Sequence, residues 1–390
     1  MFQFAVVDSG MHPASADRPL SEGDALRLAE LTDDELPALL EAAAHVRDRR
    51  WGRRVTYSPK VFLPVTNLCR NRCSYCSFRR SPGETGAWTM SPDEVREWLA
   101  RGRAQGCAEA LLCLGDKPEA AFGAYRRELG AWGQESTVGY LEWVAREALA
   151  HDLLPHTNAG VLDHEDMARL KGVNVSLGLM LESASDRLCQ PGMPHHRAPD
   201  KRPERRLRML EEAGRLRIAF TTGVLVGFGE TRRERMEALL AIRRVARAHG
   251  HVQEVIVQRF RAHPSTPMRD APEASDAEVA HTVAAARLIL DADIAVQAPP
   301  NLSAGSTELF LQAGLNDFGG ISPVTPDYIN PAHAWPHVAR LGEVCARAGF
   351  QLAPRLAIHD AYVDREGFLA DALRAPTMAA RLRLGEARTT

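Results

Sequence analysis

The chain has 390 residues, more than one small domain needs but a fit for a single α/β barrel of about 250 residues with extensions. Hydrophobic residues make up 45% and charged residues 25%, an ordinary globular composition that excludes disordered, collagen-like and coiled-coil classes. Its 48 basic and 50 acidic residues leave a net charge of −2, so no whole-chain field points to nucleic acid or to an anionic membrane. Arginine outnumbers lysine 44 to 4, which reads as coding bias.

In chain order, the first twenty residues look irregular, and their opening MFQFAVVDSG lacks the basic start of a secretory signal. The longest charge-free stretches, such as 218–229, fall short of the ~20 apolar residues that span a bilayer, so a cytoplasmic protein with no membrane partner is expected. Residues 21–50 carry a helical pattern, with Thr32 and Glu35 spaced as a capping box that divides it into two helices. Short apolar runs then alternate with amphipathic segments. Strands are expected at 61–66, 110–114, 154–158, 173–181, 218–226, 255–260, 294–298 and, weakly, 316–318. Helices are expected to open at Ser91 and Ser275, each followed by an acidic first turn, and to fill 202–214, 231–250 and 306–314. About eight β-α units read as an α/β fold, a TIM-type (β/α)8 barrel, full or slightly open. The division expected is an N-terminal irregular segment with helices over 1–56, the barrel over 57–375 and a tail, partly frayed, over 376–390.

Seven cysteines in such a chain do not suggest a disulfide framework. Three of them, Cys69, Cys73 and Cys76, stand in C-x3-C-x2-C directly after the first expected strand, where barrel proteins place their ligand loops. Three thiolates on one loop can hold three corners of an iron–sulfur cubane and leave one iron open. Zinc would want a fourth ligand at close spacing, and none is present. The arginines around the loop (Arg70, Arg72, Arg79 and Arg80) are expected to favour thiolate formation. Cys107, Cys113 and Cys345 read as core residues, and the Pro- and Gly-containing stretch 183–200, with Cys189, His195 and His196, as a lid-like loop rather than a second metal site.

With Tyr75 as the aromatic before the last cysteine, the loop resembles the signature of radical S-adenosylmethionine (SAM) enzymes. The resemblance implies a [4Fe–4S] cluster on Cys69, Cys73 and Cys76, whose open iron binds SAM, and cleavage of SAM to methionine and a 5'-deoxyadenosyl radical. It also implies cofactor contacts at Tyr75, at Gly115 in Leu114-Gly115-Asp116, at Asn158, at Glu182 after the fourth strand, at Arg206 toward the SAM carboxylate, and at Gly227 and Glu230 in the stretch 223–231. The wording of 57–80, 154–162, 177–183, 255–268, 297–303 and 314–336 is similar to the FO synthase family, first-subunit branch, which contributes to coenzyme F420 biosynthesis. That resemblance implies a lyase acting on the 4-hydroxybenzyl adduct of 5-amino-6-(D-ribitylamino)uracil, closing a ring and releasing ammonia. It further implies a second, tyrosine-using radical SAM subunit as partner and a low-potential electron donor. Asp317 or a histidine such as His263 is expected to move the proton, and His156, Gln258, Arg259, Gln297, Asn301 and Asn316 are candidate pocket residues. The alternative is another barrel radical SAM enzyme, of the biotin-synthase or aminofutalosine kind.

Overall fold

The computed structural model describes residues 20–386, so the first nineteen residues of the expected N-terminal segment and 387–390 of the expected tail lie outside it. Nine parallel strands carry the architecture: β1 (Arg54–Thr66), β2 (Glu109–Leu114), β3 (Leu154–Asn158), β4 (Ser176–Gly178), β5 (Phe220–Val226), β6 (Val252–Arg259), β7 (Ala295–Gln297), β8 (Asp317–Ile321) and β9 (Gln351–Pro354). Neighbours run β2 to β8 in order, β8 pairs with β1, and β1 returns to β2, so the first eight strands close a barrel. The thinnest seam is β7–β8, with Gln297 opposite Asp317. β9 adds to the early half of β1, matching Arg54–Tyr57 with Gln351–Pro354. Among the described residues no helix is long and apolar enough to cross a membrane.

Local sequence explains the helix boundaries. The helix Pro92–Ala104 is capped reciprocally: Glu94 N–H donates to Ser91 Oγ, and the Glu94 carboxylate accepts from Ser91 N–H at 2.7 Å. Thr231 caps Arg232–His249 in the same way, and Thr32 with Glu35 forms the box before Leu36–Trp51. The last helix, Asp371–Glu386, runs across the 375/376 boundary expected from sequence.

The two faces of the barrel differ. Outward residues such as Val61, Leu63 and Val65 pack with Val95 and Leu99 of the covering helix in one apolar cluster, as parallel strands covered by helices require. Inward positions of β1 fall on the alternate residues Ser58, Lys60 and Phe62. They meet Glu109, His156, Ser176, Glu254, Gln297 and Asp317, all buried. Branched aliphatic layers, which usually fill such a lumen, are replaced here by polar groups. At the N-terminal end Arg355, which follows β9, closes the barrel by donating to Asp317 at 2.6 and 2.8 Å and to Glu254 at 2.6 Å.

Candidate active site

The C-terminal ends of the strands surround a cavity of about 230 Å³, and the thiols of Cys69, Cys73 and Cys76 all stand on its wall. Their loop is held from three sides. Cys69 N–H and Arg80 N–H exchange bonds with Arg80 O and Asn67 O at 3.2 and 2.8 Å, Arg70 N–H bonds Asp116 O, and Arg72 N–H bonds Arg197 O. Asp116 N–H also donates to Cys69 Sγ at 3.1 Å, a bond that favours the thiolate. Gly115 is required by space: a Cβ there would run into the Leu68 carbonyl oxygen and lie 2.6 Å from Cys69 Cβ.

Burial pushes the Cys69 thiol up to about 11 and the Cys73 thiol up to about 12. The cation that opposes this at Cys73 is Lys201, not the loop arginines expected from sequence. Arg70 is committed to Asp200, Arg79 to Glu84 and Ser81, and Arg80 to backbone carbonyls. Among the described residues no three His, Cys, Asp or Glu side chains converge as a single-ion site requires. A donor set of three thiols spread along one wall suits a cluster that offers a separate iron to each.

Glu182 faces these cysteines across the cavity. It sits at φ +67°, in the left-handed region, fixed by Glu182 N–H to Gly223 O and Leu225 N–H to Glu182 O, both at 3.0 Å. Its carboxylate is ion-paired with Lys201 in a nearly dry setting. Arg206 lies beside the pair, donating to Asp200 O and Met180 O and approaching Asp116 at 3.7 Å. Burial raises the Asp116 carboxyl above its ordinary range, with Arg206 opposing. Asn158 closes this wall from the end of β3. Tyr75 stacks edge-on against Phe228 at 5.5 Å, and its hydroxyl meets His195 Nε2 at 2.9 Å. Burial, with Lys201 and Arg206 nearby, pushes the His195 imidazole down to about 2, so it is neutral.

Cys69, Cys73, Cys76, Tyr75, Gly115, Asn158, Glu182 and Arg206 thus share one cavity, together with Gln258 and Arg259. Gly227 and Glu230 do not line it. The Glu230 carboxylate accepts from Gly227 N–H at 2.7 Å, Phe228 N–H at 2.9 Å and Arg235 at 2.6 Å, so it shapes the loop that presents Phe228. Gly227 adopts φ +91° against Ala274. His263 lies in the loop after β6, bonded to Ser265 at 2.8 Å and outside the cavity wall.

Asp317 corrects the sequence reading. It opens β8 opposite Thr56, ten residues before the end of β1, roughly 30 Å along the strand from the cysteine loop. With no exposure and its oxygens held by Arg355, Gly319 N–H and Thr56, it has neither reach nor a free lone pair for substrate at the mouth. Asn316 lies at the same far end, bonded to Arg287 and Val296 N–H, and His156 lies in the lumen, bonded to Ser176 Oγ at 2.6 Å. Cys113, read as a core residue, has its side chain on the cavity wall. Cys189, His195 and His196 go different ways: Cys189 toward Lys201 O, His195 onto Tyr75 and His196 to an outer pocket. Sequence reasoning missed Lys201, whose signal was its rarity: one of four lysines, beside Arg202 and directly after the stretch 183–200 read as a lid.

Residues 63–242 match the model of the radical SAM superfamily. The chain is 47% identical over 318 residues to 7,8-didemethyl-8-hydroxy-5-deazariboflavin synthase of Methanopyrus kandleri, covering 81% of this chain and 95% of that protein. It is 46% identical over 356 residues to FO synthase of Nocardia farcinica, covering 88% of this chain but only 41% of that longer protein. Among solved structures, the FeFe-hydrogenase maturase HydG of Carboxydothermus hydrogenoformans superposes with TM-score 0.70 at 20% identity, covering 95% of this chain and 86% of that one. Methylornithine synthase (PylB) superposes with TM-score 0.65 at 19% identity, covering 86% of this chain and 94% of that one. These two likenesses show the fold alone.

Proposed function

Since this chain belongs to the 7,8-didemethyl-8-hydroxy-5-deazariboflavin synthase family of radical SAM enzymes, we propose that it performs the ring-closing half of deazaflavin formation. The substrate is the 4-hydroxybenzyl adduct of 5-amino-6-(D-ribitylamino)uracil, and the products are the deazaflavin FO and ammonia. A second protein makes the adduct from tyrosine, a division consistent with the greater length of the Nocardia relative, of which this chain matches 41%. A low-potential donor supplies electrons.

The observation that carries the reading is the placement of three thiols and the Glu182–Lys201 pair on facing walls of one cavity at the strand C-termini. A [4Fe–4S] cluster and SAM, when bound, supply a 5'-deoxyadenosyl radical for hydrogen abstraction. Cys69, Cys73 and Cys76 would hold the cluster, with Asp116 N–H stabilising the Cys69 sulfur. Lys201 and Arg206 place positive charge where the SAM carboxylate would lie, and Glu182 faces its ammonium group. Tyr75, backed by the buried Phe228 and held by the neutral His195, gives an apolar face for adenine. Leu114, Met180, Leu225 and Phe260 exclude water from the same space, which protects a reactive intermediate.

The test is anaerobic reconstitution followed by incubation with reductant, SAM and the adduct. About four irons per chain, released ammonia and a fluorescent deazaflavin are expected. Turnover of dethiobiotin or of a futalosine-type substrate in place of the adduct refutes the reading.

A further inference from the structure

The polar lumen is saturated at its base and unsaturated just below the cavity. At the base, Arg355, Asp317, Glu254 and His359 satisfy one another. Higher up, four groups are left over. Lys60 is buried, and among the described residues its ammonium has no hydrogen-bond or ion-pair partner; it lies 4.9 Å from the Trp335 ring and 5.4 Å from the Phe62 ring. Gln297 Oε1, Asn301 Oδ1 and Trp335 Nε1 are buried without partners.

These groups belong to one place. A Cβ at Gly319 would collide with Gln297 and one at Gly320 with Lys60, so the two glycines of β8 make room for both side chains over the same strand. Asn301 donates to Asp327 at 2.8 Å, and Asp327 anchors the turn after β8 through Ile329 N–H and Asn330 N–H. Ile329 and Asn330 line the cavity above, as does Cys113, whose thiol feels the Lys60 charge as a pull against its burial. The lumen group is therefore continuous with the floor of the cavity.

Buried polar atoms left without partners are unfavourable, so a fold that keeps three of them beside an ammonium with no hydrogen-bond partner keeps them for a ligand. We propose that this part of the lumen binds the polar end of the substrate, its pyrimidinedione and polyol, with Lys60 and Trp335 donating hydrogen bonds and Gln297 and Asn301 accepting them. Burial lowers the Lys60 pKa, and Glu109, Asp327 and Glu254 oppose that lowering. Those carboxylates make the place hostile to a phosphate and select a neutral ligand with both donors and acceptors. The proposal rests on the function proposed above and names where that substrate is recognised.

The test uses reconstituted holoprotein and 5-amino-6-(D-ribitylamino)uracil as the probe, titrated by anaerobic calorimetry. Lys60→Met, Gln297→Leu and Trp335→Phe should each weaken binding about tenfold or more. Each should keep the wild-type iron content. None should melt below the wild type, because each removes a group that the free protein leaves unpaired. Wild-type affinity in Gln297→Leu and Trp335→Phe overturns the lumen assignment, even where Lys60→Met fails to fold, and leaves the functional reading standing. A wild-type protein that neither binds the probe nor turns over the adduct overturns both.

Discussion

Replacing Arg355 by Met tests whether the base of the barrel is held by one guanidinium. In the native protein that group bridges Asp317 and Glu254, whose side chains are 0% and 4% exposed. Removing one partner of a buried ion pair while the other stays typically destabilises by about 3–5 kcal/mol, because the remaining charge is desolvated and uncompensated. At ~2.1 cal/mol/K per residue, 390 residues unfold with an entropy of roughly 0.8 kcal/mol/K, so the melting temperature should fall by about 4–6 °C. The pH dependence gives the sharper signature. Burial alone would raise the Glu254 carboxyl, but Arg355, with His359 and His156, overcomes burial and holds it well below the usual carboxylate range. A depressed folded-state pKa contributes stability that is present above the unfolded value and lost as pH falls below it. Without Arg355 the sign reverses: burial, the first cause acting on Glu254, then raises that carboxyl above its unfolded value, so the variant loses stability as pH rises. The gap between the two proteins should therefore narrow steadily from pH 8 to pH 5, as read by scanning fluorimetry of each. A gap below 1 °C, or one independent of pH, would refute the account. Asp317→Asn should melt lower yet keep ammonia release per folded molecule; loss of release with the fold intact would restore the catalytic role expected from sequence.

Three further outcomes are expected at the mouth. Cys73→Ala should bind less than half the iron of the wild type and lose SAM cleavage with unchanged far-ultraviolet circular dichroism; retained cleavage contradicts its place as a ligand. Gly115→Ala should destabilise by about 1–3 kcal/mol through overpacking against Leu68 and Cys69 and lower iron incorporation in parallel, measured by melting and iron assay. Glu182→Gln, which leaves Lys201 without its counter-charge, should raise the SAM dissociation constant about tenfold or more in equilibrium dialysis while iron content stays constant.

Sequence made the helix-facing side of the barrel legible and the lumen much less so. Leu154–Asn158 coincides with its expected strand although only Leu154 and Pro155 are apolar, and Phe220–Val226, which ends in an apolar run, coincides with most of its own because such runs mark strands covered on their outer face. β1 begins seven residues before the expected 61, at Arg54, because its early half carries Ser58, Pro59 and Lys60, residues that read as turn and surface. They are strand residues whose inward partners are other polar groups. β9 escaped notice for a related reason: Gln351–Pro354 is short, half exposed and ends in proline. At the site, the cysteine spacing picked out a loop on the cavity wall, and the strand ends picked out Glu182 and Asn158 on the same cavity. Asp317 was misplaced because an acidic residue on a late strand looks alike at either end, and only register shows that it begins β8.

That register also explains how one fold tolerates so many buried charges. Each charge at the N-terminal end has a counter-charge delivered from outside the eight-strand pattern, by β9 and the segment that follows it, so the base is a closed electrostatic unit. Above the base the pairs are incomplete: Glu182 at the mouth has Lys201, but Lys60, in the middle of β1, and Gln297, Asn301 and Trp335 wait on something the chain does not supply. Gly115, whose N–H bonds Thr66 O at the end of β1, stands roughly 30 Å of strand from the base at Arg355 and shares no partner with it, so mutational effects at the two should add. The double variant Arg355→Met/Gly115→Ala should melt at the sum of the two single shifts within about 0.5 kcal/mol, whereas Lys60→Met combined with Trp335→Phe, two groups in contact, should depart from additivity in probe affinity. Coupling of the first pair by more than 1 kcal/mol would mean that the lumen is one network and that its two ends are not independent.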